Sequence, residues 1–250
     1  MRLLPAAVLL VAFALQVPAP AEQDLTETLS SGGTGRSYRV FVPAGVDANR
    51  RVPAVVLFNG SGSPVDSLMT FWKDVARKEG VVLIGPGAFE RGAWRMPEDS
   101  PEFSMQVVEA VKAKYPIDPR RVYLFGHSGG AGHVLLLGLF ESEYYAAVAA
   151  HAGVLTQNDV QFLDLPKRKI PFAIWVGTND RMVPLQMARA TEDVLVAKGF
   201  PIKLTEWKDH THSYAERGAE VTGKAWEFLR RHKLRSDPRF YRYTFNRPGK

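Results

Sequence analysis

The run "RVYLFGHSGGAGHVLLLGLF" carries a β-rich segment into Gly126-His127-Ser128-Gly129-Gly130 and then into an apolar helical pattern. A serine on a sharp strand-to-helix turn, flanked by glycines that leave room for both elements, projects its hydroxyl as a nucleophile. Gly129, at the helix start, can offer its backbone N–H to a developing oxyanion. A serine hydroxyl needs a base to take its proton, and the base needs a carboxylate to orient it. The spacing therefore calls for a later acid and, beyond it, a histidine.

The acid is expected in "IPFAIWVGTNDRMVPLQMARA", where Asp180 follows an apolar strand and a glycine-containing turn. Asp159, Asp164 and Asp209 are its rivals. The first two fall in a polar connection, and Asp209 adjoins the histidines as a solvated or turn-forming residue. The base is sought in "KDHTHSY", which lies after the final β-run and holds His210 and His212. Ser213 and Glu216 read as a capping box, which starts the last helix just beyond Ser213 and puts His212 immediately before it. His212 is therefore the expected base, with His210 in reserve. Two histidines at this spacing could share a metal, but no cysteine or H-E-x-x-H helix completes a ligand set, so no metal is expected.

A second oxyanion donor is expected from "VVLFNGSGSP", where Gly60, Ser61 and Gly62 allow close backbone approach. The Ser61 N–H is the first choice. Trp94, His127 and His151 are candidate substrate-lining residues, with pocket walls from residues 85–101, including Phe89, and from 156–169. His133 and His232 are assigned structural roles.

These side chains need a scaffold that brings strand ends together. Short apolar runs at 37–43, 52–60, 81–87, 121–126, 145–153, 170–177 and 202–209 alternate with helical patterns at about 64–79, 101–115, 129–140, 185–198 and 213–232. Continuous apolar strands are covered on both faces. The alternation predicts an α/β fold: a doubly wound, mostly parallel sheet flanked by helices, with ligands at the carboxyl ends of the strands.

The chain of 250 residues, 46% hydrophobic and 23% charged, suits one domain with a sizeable core. Residues 1–21 have the order of a signal peptide: Arg2, an apolar run from Leu3 to Leu15, then Ala19-Pro20-Ala21. That predicts a secreted or periplasmic protein, with no integral membrane segment after cleavage. The absence of cysteine excludes disulfides and thiolate metal sites. The formal charge of +6 is concentrated in the tail, where residues 230–250 hold eight Lys/Arg against Asp237. The expected organisation is a signal peptide at 1–21, an α/β domain at 22–235 and a basic aromatic tail at 236–250. The tail reads as a strap with its aromatics pinned to the body rather than as a nucleic-acid surface, and no nucleic-acid partner is expected.

With those residues in place, the chain resembles the α/β-hydrolase superfamily. It is most similar to the secreted esterases of the polyhydroxybutyrate depolymerase and feruloyl or acetylxylan esterase group. The resemblance is carried by "YRVFVP", "VVLFNGSG", "YPIDPRRVYLFGHSGGA", "VGTNDRMVP" and "HTHSY". These families carry His-Gly at the oxyanion loop, whereas this chain has Asn59-Gly60-Ser61. The resemblance implies the fold, a Ser128, Asp180 and His212 triad, oxyanion donors at Gly129 and Ser61, no cofactor, and a small-molecule or polymer-borne ester as substrate. The alternatives are a serine peptidase of the same fold and a non-catalytic protein binding the cell envelope or a polyanion.

Overall fold

A computed structural model describes residues 20–47, 49–90 and 93–243. Apart from Pro20 and Ala21, the expected signal peptide lies outside the described residues, as does the tail beyond Tyr243. Among the described residues eight strands form one sheet: β1 Gln23–Ser31, β2 Thr34–Val42, β3 Val52–Phe58, β4 Val82–Pro86, β5 Ile117–His127, β6 Val148–His151, β7 Phe172–Gly177 and β8 Ile202–Trp207. Their spatial order is β1-β2-β4-β3-β5-β6-β7-β8. From β4 to β8 all pairs are parallel, and β1 and β2 form an antiparallel hairpin at one edge. The protein has the α/β-hydrolase fold in a single domain.

Among the described residues five α-helices cover the sheet: α1 Val65–Glu79, α2 Pro101–Lys112, α3 Gly129–Phe140, α4 Leu185–Ala197 and α5 Tyr214–Leu229. Strand alternation divides the core. Val56 and Phe58 of β3 face the layer that contains Val107 of α2, Leu135 of α3 and Leu195 of α4. Val55 and Leu57 face the layer that contains Trp72 of α1 and Val221 and Leu229 of α5. Both faces of the central strands are therefore buried, which is why their sequences read as unbroken apolar runs.

The hairpin partner β1 was not among the expected strands. Its exposed, polar alternation carries little apolar signal, and it is held by pairing with β2 through a turn at Gly32 and Gly33, both at positive φ. The expected capping box is also corrected. Ser213 sits at the N-cap of α5 but its side chain makes no cap bond. Glu216 instead accepts from Thr211 Oγ1 at 2.7 Å, and Thr211 Oγ1 accepts from the Ser213 N–H at 3.1 Å. The helix still begins at Tyr214, as the sequence predicts.

The tail, where described, is a strap. Tyr243 donates to the Phe140 carbonyl at 2.6 Å, Tyr241 hydrogen-bonds Glu143, and Phe240 packs edge-on against Tyr144.

Candidate active site

Strand β5 ends at His127, and Ser128 turns the chain into α3 with φ 54° and ψ −121°. A non-glycine residue at positive φ is strained and persists only where its surroundings hold it. Two close approaches enforce the turn. A Cβ on Gly126 would stand 2.7 Å from the Ala131 nitrogen, and one on Gly130 would stand 2.6 Å from the Asn59 carbonyl oxygen. The glycines let α3 descend onto the ends of β3 and β5.

Asp180 lies in the loop after β7, with its side chain fully enclosed. Its Oδ1 accepts the N–H groups of Met182 and Val183 at 2.9 and 2.8 Å. His212 Nδ1 lies 2.8 Å from Asp180 Oδ2 and 3.1 Å from Oδ1. An ionised carboxylate can only accept, so the proton of neutral His212 belongs on Nδ1 and its Nε2 is free to accept. That nitrogen is 2.8 Å from Ser128 Oγ. Nucleophile, base and acid of the sequence reading thus form one unbroken hydrogen-bonded chain.

The neighbouring histidine has different partners. His210, 2% exposed, lies 3.0 Å from His151 through the Nε2 atoms of both rings. The turn that separates the two histidines from β8 is tight. Asp209 adopts φ 60°, and Gly177 is packed so closely that a Cβ would meet the Thr211 carbonyl at 2.9 Å. The rivals Asp159 and Asp164 are engaged elsewhere, Asp159 capping a 3-10 turn at Thr156 and Asp164 pairing with Lys198.

The loop expected to supply the second oxyanion donor follows β3. Gly129 occupies the first turn of α3, where backbone N–H groups have no intrahelical acceptor. Its Cβ position would lie 3.5 Å from the Ser61 nitrogen, and that of Gly60 would lie 3.3 Å from Ser128 Cβ. The Ser61 backbone nitrogen therefore lies close to Gly129, beside the serine. Asn59 fixes the loop from within, its Nδ2 donating to the Gly60 carbonyl at 3.1 Å and to the Ser63 carbonyl.

Three expected lining residues are corrected. Trp94 packs behind the oxyanion loop: Nε1 donates to the Asn59 carbonyl at 2.8 Å, and the ring lies on Phe58 and stacks on His133. His151 is fully buried and does not face a cleft, because β6 is covered on both sides. Phe89 borders a cavity of about 550 Å³ with Arg36 and Glu102, a space that no member of the Ser128–His212–Asp180 chain lines. His127 does lie beside the site, its ring 5.2 Å from that of His212. An open hollow of about 830 Å³ borders Asp180 and His212, lined by Asn179, Arg181, Met182 and Thr211 among others. Sequence reasoning missed Asn59 as a shaping residue and gave Glu216 the wrong partner, since each acts through the folded loop.

The chain matches the family model described as phospholipase/carboxylesterase over residues 96–232. It belongs to that family. It is 28% identical over 152 residues to a poly(3-hydroxybutyrate) depolymerase of Ralstonia pickettii, covering 52% of this chain and 31% of that protein. It is 27% identical over 162 residues to a bifunctional acetylxylan esterase/xylanase of Neocallimastix patriciarum, covering 62% of this chain and 23% of that protein. The matched parts thus span less than a third of either relative. Among solved structures, a ferulic acid esterase from Anaeromyces mucronatus shares the fold at a TM-score of 0.66 and 19% identity, with 88% of this chain and 93% of that one covered. An S-formylglutathione hydrolase from Agrobacterium tumefaciens gives a TM-score of 0.67 at 15% identity, with 86% and 99% covered. The resemblance read from the motifs is borne out at the level of superfamily and esterase group.

Proposed function

We propose that this member of the carboxylesterase-type hydrolases is an exported serine hydrolase that cleaves carboxylic esters through Ser128, His212 and Asp180. The observation that carries the reading is the continuous hydrogen bonding from Ser128 Oγ to His212 Nε2 and from His212 Nδ1 to Asp180. As Ser128 Oγ attacks the ester carbonyl, His212 Nε2 takes its proton, and Asp180 stabilises the imidazolium. The carbonyl oxygen becomes an oxyanion held by the N–H groups of Gly129 and Ser61. Collapse expels the alkoxide, which leaves as the alcohol with the proton from His212. Water then attacks the acyl-enzyme while His212 takes its proton, and return of that proton to Ser128 Oγ releases the acid. Every step uses groups of the chain and water.

The hollow beside His212 supports entry of the substrate from the acid-and-base side, with Met182, 72% exposed, as an apolar contact. Export rests on the signal-like order of residues 1–21, and N-terminal sequencing of protein recovered from the cell exterior or periplasm checks it. The reaction class is tested with p-nitrophenyl acetate and methyl ferulate against peptide p-nitroanilides. Ester hydrolysis that is abolished in Ser128→Ala supports the reading, and cleavage of amides alone overturns it.

A further inference from the structure

Three histidines outside the Ser128–His212–Asp180 chain form a second hydrogen-bonded chain behind it. His127 and His151 are register partners at the carboxyl ends of β5 and β6, and their Nδ1 atoms stand 2.9 Å apart. His151 Nε2 lies 3.0 Å from His210 Nε2. His210 Nδ1 faces Glu216 Oε2 at 3.3 Å, off the line of a well-aligned hydrogen bond, and among the described residues no hydrogen-bond partner competes for that buried nitrogen. Burial, first of all, holds these rings neutral: His127 is lowered to about 4 and His151 to about 2, and His210 is lowered as well.

A neutral imidazole carries one N–H and one lone pair. Each of the two N···N contacts needs one proton between its atoms, so only two arrangements satisfy both. In the first, the protons sit on His127 Nδ1, His151 Nε2 and His210 Nδ1. In the second, they sit on His127 Nε2, His151 Nδ1 and His210 Nε2. Glu216 separates the two energetically, because a carboxylate accepts but does not donate and so favours the proton on His210 Nδ1. Arg217 and Asp180, the other charged groups facing His210, act on it through their charge alone.

We propose that Glu216 locks this histidine chain into the first arrangement, so that His127 holds an unprotonated Nε2 beside Ser128 as an acceptor for a substrate hydroxyl close to the ester carbonyl. A Cβ on Gly60 would lie 3.7 Å from that nitrogen and 3.3 Å from Ser128 Cβ, so acceptor and nucleophile border the same small surface of the oxyanion loop. Glu216, His210 and His151 are positioning residues in this scheme, and His127 determines specificity. The substrate contact rests on the Ser128 reading above, whereas the proton arrangement does not.

The test is nitrogen-15 NMR of the imidazoles in the full protein near neutral pH, for the unmodified chain and for Glu216→Lys and Glu216→Ala. The expected pattern in the unmodified protein is a lone-pair nitrogen at His127 Nε2, His151 Nδ1 and His210 Nε2. An ammonium at position 216 donates to His210 Nδ1 and reverses the chain, so His127 Nε2 gains a proton in Glu216→Lys, with Glu216→Ala between the two. A protonated His127 Nε2 in the unmodified protein, or shifts unchanged in Glu216→Lys, overturns the lock.

The substrate contact is read from the ratio of kcat/KM for p-nitrophenyl lactate to that for p-nitrophenyl propionate. Comparing this ratio between proteins cancels the intrinsic reactivity of the two esters. It is expected to fall about tenfold in Glu216→Lys, the size of one hydrogen bond, and equal ratios overturn the acceptor role. Should a fluorophosphonate fail to label Ser128 while the NMR pattern holds, the hydrolase reading falls and the lock stands.

Discussion

Gly130 of α3 approaches the end of β3 so closely that a Cβ on it would stand 2.6 Å from the Asn59 carbonyl oxygen and closer still to that of Phe58. The atoms in the way are backbone, which no rotamer change can move aside. Gly130→Ala must therefore push α3 away from the loop at Asn59. The expected cost is roughly 1–3 kcal/mol, the scale of overpacked sites, read as a lower urea midpoint, with a loss of ester hydrolysis in the protein that remains folded.

The two histidines of "KDHTHSY" are predicted to be unequal. His212 bonds both Ser128 and Asp180, whereas His210 is buried against His151. His212→Ala is expected to lower kcat by roughly four orders of magnitude, the scale for a lost triad member. His210→Ala should cost about 10- to 100-fold or less in kcat, together with a lower urea midpoint from the emptied site. Steady-state kinetics on p-nitrophenyl acetate measures both.

Acid should destabilise the fold early. Burial lowers His127 to about 4, His133 to about 3 and His151 to about 2, from an ordinary value of 6.5. In the window between 6.5 and those folded values the unfolded chain binds more protons than the native one. The stability is fully present above 6.5 and is lost as pH falls through the window. Urea midpoints should fall steadily from pH 6.5 towards pH 4, and His133→Phe, which removes one buried imidazole, should make the fall shallower.

The fold was legible because its central strands are apolar throughout and its helices are bounded by turn residues. β1 was not legible, since a polar strand is specified by its partner β2 across the hairpin rather than by its own composition. Ser128, Asp180 and His212 could be placed because each follows a strand of a parallel sheet, where the topology brings carboxyl ends together. The partner of Glu216 could not. The S-x-x-E spacing suggested a capping box, but the carboxylate accepts from Thr211 through one oxygen and faces His210 through the other, which only the folded loop shows. His151 looked like a lining residue for the same reason that Asp180 looked like an acid: it ends a strand. Its neighbours close over it.

Glu141 predicts an opposite pH effect. Burial at the end of α3 pushes its carboxyl up to about 8, although the Tyr241 N–H donates to it at 3.0 Å. Between 4.5 and about 8 the native state holds a proton that the unfolded chain gives up, so this group's contribution declines as pH rises through that window. Glu141→Gln, which cannot ionise, should flatten the alkaline side of the stability profile measured by urea unfolding.

Active-site labelling tests the central claim most directly. Intact protein treated with a fluorophosphonate, digested and analysed by mass spectrometry should carry the adduct on Ser128, more slowly in His212→Ala and not at all in Ser128→Ala. A folded protein that stays unlabelled, or that is labelled at another serine, would contradict the assignment of Ser128 as the nucleophile.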